Sequence, residues 1–364
     1  MGQLVNFCAG TNMQILPAKQ VDAILVSVPY NASDDNAIRG TKMLLQYAGA
    51  KWSQLDSGGY QIAKFEKSGR RISFDPRKPV ECSTSGLNLT PQHLIDAASK
   101  IQPTIMNALD FPIGRYDHPD EQEMEFMKKL GFNVTWAIET SQLRKEHCPG
   151  VKLFIPMQCY DLKQFDFFLS LIHGISYDGF SIPTRNFTVK EIALFLVKFY
   201  QLGVRQVHIL GSTEFFLIAL AAYMARHVFE WVSLDATTWR EQAQYSNFLN
   251  QHTLSAEHLN NVHIDESIQN DCGCPRCNGK SFTYIANLPQ TDRIAFLRQH
   301  NFFVIDRDFK DFYQNAGTIL ELERHLKGRH PKTEKIDELI RTLSLVDALK
   351  DANIAILEEL LEEP

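Results

Sequence analysis

No run of about 18 apolar residues free of charge and turn residues occurs in the sequence, so nothing in it predicts a helix that spans a bilayer. The apolar segment Phe215 to Ala225 is too short. Solenoid repeats and low-complexity tracts are missing as well. There is no excess of positive charge either: 37 Lys and Arg stand against 43 Asp and Glu, a formal charge of −6. No global field therefore draws the chain to a polyanion, and any such partner has to be held by local basic patches. Cysteine is scarce and odd in number, seven in 364 residues, which excludes a small disulfide-stapled secreted scaffold and fits a reducing compartment better. The segment Met1 to Cys8 has no basic stretch followed by a long apolar run and a cleavage site, so no secretory signal is read. These absences predict a soluble, cytoplasmic protein with no membrane partner.

What is present is globular. With 44% hydrophobic, 11% aromatic and 22% charged residues, whole-chain disorder, collagen and coiled-coil arrays are excluded. Short apolar runs recur at Leu4–Cys8, Ala23–Val28, Trp52–Leu55, Thr104–Leu109, Leu153–Met157, Gly179–Ile182, Gln206–Leu210 and Trp231–Leu234. Most are continuous and not alternating, the pattern of parallel strands covered on both faces. The later runs are separated by helix-length periodic segments such as Thr188 to Gln201, where Thr188 and Glu191 form a capping box. Eight such units predict an α/β fold, a (β/α)8 TIM barrel.

The ends of the runs show a second regularity: Asp56 comes after the third, Asp110 after the fourth, Gln158 after the fifth, Gly211 after the seventh and Asp235 after the eighth. Turn chemistry alone favours Asp and Gly at such places. In a barrel, however, all of these positions share the C-terminal rim where catalytic groups sit. Three carboxylates and an amide on one mouth point to a site.

Beyond residue 240 the pattern changes. Residues 1–240 are read as the barrel core, 241–325 as an appended metal-binding subdomain with closing helices, and 326–364 as a C-terminal helical extension. Arg324, Lys327, Arg329, Lys332 and Lys335 form a basic stretch, and the end of the chain is acidic. Cys272-Gly-Cys274-Pro-Arg-Cys277 offers three thiols within six residues, enough for three ligands of one tetrahedral zinc. His300 is the best fourth ligand, with His258 and His263 as alternatives. An iron–sulfur set, a redox pair or unliganded thiols are the competing readings. A zinc with four protein ligands is structural. Cys8, Cys82, Cys148 and Cys159 have no partner spacing and are ordinary thiols.

Asp56-Ser-Gly58-Gly59-Tyr60-Gln61 sets an acid before two glycines, which allow close approach of a flat ligand on which Tyr60 can stack. Two acids on one rim suffice for double displacement at a sugar carbon, one attacking and the other managing protons. A glycoside hydrolase is compatible with that chemistry but leaves the cysteine cluster unexplained.

As a set, Phe7-Cys-Ala-Gly-Thr11, Asp56-Ser-Gly-Gly-Tyr-Gln61, Leu89-Thr-Pro-Gln92, Ile105-Met-Asn-Ala-Leu-Asp110, Gln158, Leu210-Gly211, Asp235 and Cys-x-Cys-x-x-Cys with His300-Asn301 resemble the tRNA-guanine transglycosylases. The resemblance runs from Leu4 to about residue 325. It implies a zinc-bearing (β/α)8 pentosyltransferase that exchanges guanine for a 7-deazaguanine base, such as 7-cyano-7-deazaguanine. It also implies Asp235 as nucleophile at C1′, Asp56 as general acid/base, Asp110 and Gln158 as readers of the base, and Tyr60 as its stacking platform. Gly58 and Gly59 belong to the base pocket, Gly211 leaves room in it, and Cys272, Cys274, Cys277 and His300 bind zinc. Relatives often dimerise near the zinc subdomain, which implies a homodimer.

Three departures stand out. Pro183-Thr-Arg185 replaces a Gly-Gly-Leu turn, and Pro112 replaces a cysteine. The Pro-Thr-Arg-Asn segment that contacts the anticodon loop in the tRNA enzymes is replaced by Asp235-Ala-Thr-Thr-Trp-Arg240. In the bland reading Trp239 is core and Arg240 caps a helix or pairs with Glu241, while the basic residues Lys64, Lys67, Arg70, Arg71, Arg77 and Lys78 are solvated surface. In the functional reading a lost RNA-reading loop beside an intact acid set predicts DNA as the polynucleotide, as in the DNA-modifying branch of the superfamily. The alternatives are tRNA as substrate, or a non-catalytic partner subunit, against which the retained Asp56 and Asp235 speak.

Overall fold

The computed structural model describes residues 1–10, 21–28, 35–59, 62, 66, 80–82, 87–184, 187–259, 272–278 and 280–352. The expected strands are present: β1 (Gln3–Cys8), β2 (Ala23–Ser27) and β3 (Trp52–Asp56), then a small antiparallel hairpin of β4 (Val80–Cys82) and β5 (Leu87–Leu89). They are followed by β6 (Ile105–Asn107), β7 (Lys152–Pro156), β8 (Gly179–Pro183), β9 (Gln206–Leu210) and β10 (Trp231–Ala236). Apart from the hairpin, these eight strands close into one parallel barrel in the order β1-β10-β9-β8-β7-β6-β3-β2. Closure is made by β1 on β10, in register from Gln3↔Trp231 to Cys8↔Ala236. Around the barrel lie α1 (Asp35–Ala48), α2 (Pro91–Ile101), α3 (Pro119–His147), α4 (Leu162–Leu171), α5 (Val189–Gln201) and α6 (Phe215–His227). The α5 cap is the expected box: Thr188 Oγ1 accepts from Glu191 N at 3.1 Å, and Glu191 Oε2 from Thr188 N at 2.6 Å.

The continuous apolar runs are explained by two cores. Along β2, Ile24 and Val26 face outward into the strand–helix core, whereas Ala23 and Leu25 join a separate inner cluster with Phe7, Ile105, Phe154 and Trp231. Period-two alternation is therefore real, but both faces are buried. Trp52 and Trp231 meet edge to face across the interior, 4.8 Å between centroids. A buried polar set shares the interior: Asn107 Oδ1 accepts from Gln54 Nε2 at 3.1 Å and from Ser181 Oγ at 2.7 Å.

After the barrel come α7 (Thr238–Gln244), the antiparallel pair β11 (Asn247–Leu249) and β12 (Ala256–His258), α8 (Phe282–Ala286) and the long α9 (Gln290–Asn315). The last helices are α10 (Ile319–Arg329) and α11 (Thr333–Leu349). α9 packs on α6 and α7, and α11 packs on α5 and α6, so the C-terminal helices complete the outer layer. Ile336, Leu339, Leu343 and Val346 form the buried stripe of α11. No helix among the described residues is long and apolar enough to cross a membrane.

In the segment after β10 Trp239 is core, as the bland reading has it, whereas Arg240 neither caps a helix nor pairs with Glu241 among the described residues. Trp239 is buried and its Nε1 donates to Ala9 O at 3.2 Å, and Arg240 Nη1 donates to Gly10 O at 2.8 Å. Arg240 thus ties α7 to the end of β1.

One ion pair fixes the C-terminal helices. Arg329 Nη2 lies 2.8 and 2.9 Å from the two oxygens of Asp308, which is fully buried. Burial pushes the Asp308 carboxyl up to about 6, against the pull of Arg329. Removing Arg329 leaves the buried Asp308 with Arg307 alone, 3.3 Å away. Arg329→Met is therefore expected to destabilise the protein in urea unfolding, by less than the cost of a fully broken buried pair, about 3–5 kcal/mol, and adding Asp308→Asn to recover part of that loss.

Candidate active site and metal centre

Asp56 ends β3, Asp235 lies near the end of β10, and Asp110, Gln158 and Gly211 follow β6, β7 and β9, so all five reach the C-terminal mouth. Asp235, Asp110 and Gln158 are less than a tenth exposed, while Asp56 is partly open to the mouth.

One oxygen of Asp235 accepts a hydrogen bond and lies near a buried imidazole. Gly211 N–H donates to Oδ1 at 2.9 Å, and His208 Nε2 lies 3.2 Å from the same oxygen. Oδ2 has no hydrogen bond among the described residues. His208 is wholly buried, its Nδ1 is 2.9 Å from Ser233 Oγ, and Trp231 Nε1 donates to that hydroxyl at 3.1 Å. His208 Nε2 makes no hydrogen bond among the described residues, so the ring lies against Asp235 without donating to it. Gly211 has φ +84° and a Cβ there would meet nothing within 4 Å. Its positive φ favours glycine at the turn that aims the N–H at Asp235, and the space beside it is open.

Asp56 sits in the field of Asp235. Burial and then that neighbouring charge raise its carboxyl above the ordinary range; Gly58 N–H, 3.3 Å from Oδ2, and the Asn107 side chain work the other way. Because Gln54 and Ser181 occupy Asn107 Oδ1, its Nδ2 group is left to face Asp56.

Asp110 is bridged on both oxygens: Ser57 Oγ donates to Oδ1 at 2.6 Å and Gln158 Nε2 to Oδ2 at 2.7 Å. Gln158 is itself oriented by Ile113 N–H, which donates to its Oε1 at 3.1 Å. Burial pushes the Asp110 carboxyl up to about 7, with the charge of Asp56 adding and the two hydrogen bonds opposing. Gly58 has φ +83°, and a Cβ on Gly59 would come within 2.5 Å of Asp110 Oδ1, so the Gly-Gly pair is what lets the β3 loop close over this acid. The Asp110 loop is pinned from outside by the buried Lys129, whose Nζ donates to Pro112 O at 2.9 Å and to Glu66 Oε2 at 2.8 Å.

Of the sequence-derived site residues, the structure brings Asp56, Gly58, Gly59, Asp110, Gln158, Gly211 and Asp235 to one mouth. Tyr60, Arg185 and the basic residues between 64 and 78 lie outside the described residues. His208, Ser57, Asn107 and Ser233 were missed. Each is a single polar residue inside or beside an apolar strand, and such a polar interruption is the signal that marks them.

Beside the barrel, Cys272, Cys274, Cys277 and His300 are all buried, with ligand atoms within 4.8 Å of one another. Cys277 Sγ is 3.2 Å from His300 Nδ1. His300 Nε2 is 3.0 Å from Leu249 O, an outer contact that places the proton on Nε2 and leaves Nδ1 as the ligand atom. Gly273, at φ +67°, turns the thiol loop back on itself. Tetrahedral ligands about 2.3 Å from a metal stand about 3.8 Å apart, so this set closes on an ion by small movements. The four residues could hold a metal ion. His258 is not among them, and His263 lies outside the described residues.

Acids facing each other across a barrel mouth suit displacement at a sugar carbon, and the relationships of the chain are to base-exchanging pentosyltransferases. The family model described as queuine tRNA-ribosyltransferase matches residues 30–331, and the chain belongs to that family. No curated protein matches it.

Burial of the Asp110 carboxyl also ties stability to pH. Its unfolded form loses a proton near 3.8 and its folded form near 7, so between those values the folded state binds more protons and stability falls as pH rises. Asp110→Asn is expected to raise the thermal midpoint at pH 8 and to flatten its decline between pH 5 and pH 8, measured by calorimetry across that range.

Proposed function

We propose that the protein exchanges guanine in DNA for a 7-deazaguanine base, such as 7-cyano-7-deazaguanine, by double displacement. The observation that carries this reading is the asymmetry of the two facing acids. Asp235 has one oxygen held by the Gly211 N–H, with His208 Nε2 3.2 Å away, and the other unengaged among the described residues, and Asp56 is held above the ordinary carboxylate range by burial and by Asp235 itself. Such a pair splits into nucleophile and proton carrier.

In this mechanism Asp235 Oδ2 attacks C1′ of the target nucleoside while its bond to guanine N9 breaks. Asp56 delivers its proton to the departing base, which leaves neutral. The glycosyl–Asp235 ester then faces an incoming 7-deazaguanine, whose N9 proton passes to Asp56 as N9 attacks C1′ and frees Asp235. Asp110 accepts from the N–H edge of either base and Gln158 supports it, with Tyr60 as the stacking surface. Gly58 and Gly59 give the flat base room.

DNA is favoured because the stretch after Asp235 lacks the Pro-Thr-Arg-Asn segment, and in its place Trp239 and Arg240 serve the core and the β1 end. The second reading, tRNA as substrate, is favoured by the name of the matched family. A duplex substrate has to yield its base by flipping or arrive single-stranded. We assign zinc to the Cys3His set, in a structural role, because all four positions are filled by protein. The same proposal divides the chain at about 240 and 325, takes a homodimer as the working form and places the protein in the cytoplasm.

Nucleoside analysis of DNA and tRNA from cells given the protein and a 7-deazaguanine supply is expected to show the modified base in DNA. Its confinement to tRNA overturns the DNA reading. Asp235→Asn is expected to lower exchange by several orders of magnitude and to abolish the covalent adduct seen by mass spectrometry. Elemental analysis is expected to find one zinc per chain, and Cys277→Ser to lose the metal together with thermal stability.

A further inference from the structure

The basic stretch from Arg324 to Lys335 divides once its partners are known. Arg329 is engaged by Asp308, and Lys327 Nζ lies 2.6 Å from Glu323 Oε1 and 3.5 Å from Asp337 Oδ1. Lys332 and Lys335 are exposed, and among the described residues neither has a carboxylate within ion-pair distance. Both line a cavity of about 310 Å³ together with His330.

Part of that cavity's lining comes from the loops that follow β9 and β10. Ser212, Thr213 and Glu214 line it, and Ser212 directly follows Gly211, whose N–H holds Asp235. Thr238, at the start of α7 and just after β10, lines it as well. The cavity therefore lies on the side of the barrel that carries the mouth, lined by residues next in sequence to Gly211 and close after Asp235. Thr213 is 6% exposed, and among the described residues its hydroxyl has no hydrogen-bond partner, a buried donor group that calls for an acceptor. His330 packs on Phe215 and Phe216, with centroids 5.0 and 4.9 Å apart, and Lys335 Nζ lies 5.8 Å from the Phe216 centroid. Burial and the charges of Lys332 and Lys335 hold the His330 imidazole below its usual value, which marks the local potential as positive. Among the described residues Glu214 is the single carboxylate of the lining, against two ammonium groups.

We propose that this cavity binds a phosphodiester of the polynucleotide strand whose target nucleotide lies at Asp235, through Lys332, Lys335 and the Thr213 hydroxyl. The proposal rests on the polynucleotide base-exchange reading. It makes the C-terminal extension part of the substrate site and supplies the local basic patch that a chain of net charge −6 needs. Phosphate contacts of this kind position a strand without reading its sequence.

The test compares wild type, Lys332→Ala/Lys335→Ala and Lys327→Ala on a single-stranded guanine-containing oligonucleotide and on tRNA, with binding measured against salt. All three changes are at exposed side chains, and equal thermal midpoints verify folding. The double variant is expected to bind more weakly, with the slope of log K against log [salt] reduced by about 1.4, or about 0.7 per lost contact on a single strand. KM for the free 7-deazaguanine base is expected to stay unchanged, and Lys327→Ala to behave as wild type. Replacing the linkages beside the target guanine by neutral methylphosphonates is expected to weaken the wild type and not the double variant. Equal salt slopes for wild type and double variant, or an equal drop in Lys327→Ala, overturn the cavity assignment. A wild type that exchanges guanine in neither polynucleotide overturns the base-exchange reading instead.

Discussion

Closure of β1 on β10 is the constraint on which the rest of the molecule depends. Registered pairing from Gln3↔Trp231 to Cys8↔Ala236 turns a parallel sheet into a barrel and brings Phe7 beside Asp235. A parallel barrel sends every strand end to the same rim, so acids far apart in sequence are forced into each other's field. That proximity is unfavourable in a buried place unless donors compensate it. Here they do: Gly211 on Asp235, Gly58 on Asp56, and Ser57 and Gln158 on Asp110. The compensation is incomplete for Asp56 and Asp110, whose carboxyls both stay raised, and incomplete compensation is what keeps a proton available at the mouth.

The interior below this rim explains why the acids stay in place. Asn107, Gln54 and Ser181 form a buried polar layer, and Trp231, Ser233 and His208 form another that ends on Asp235. Side chains with rotamers held in this way cannot swing away from their neighbours, so the separation of acids is set by the barrel and not by solvent.

Much of this was legible in the residues alone, for identifiable reasons. Strands covered on both faces write themselves as short continuous apolar runs, and the eight runs are the eight barrel strands. Three cysteines within six residues carry their own geometry, and their fourth partner, His300, is one of few histidines within reach. Other features could not be read. His208 sits in an apolar run, and only the barrel register sets its ring beside Asp235. Gly211 reads in sequence as space for a ligand, and its positive φ and the N–H it turns towards Asp235 were not legible there. Lys327, Arg329, Lys332 and Lys335 look alike in sequence. Their difference arises from Asp308, Glu323 and Asp337, acids that folding sets beside the first two.

The metal set and the mouth are mechanically one unit. His300 Nε2 meets Leu249 O, and the next residue, Asn301, accepts from Leu249 N at 2.8 Å while its Nδ2 group donates to Trp239 O at 3.3 Å and Asn247 O at 3.2 Å. Trp239 in turn reaches Ala9 O at the end of β1. An ion held by His300 therefore fixes β11, and through Asn301 it fixes α7, the helix that directly follows the strand carrying Asp235. Asn301 is fully buried and its amide bridges three backbone groups, so no shorter or apolar side chain can keep these segments together. In the proposed reading, an ion held at this set bears on the placement of Asp235 through Asn301 and α7.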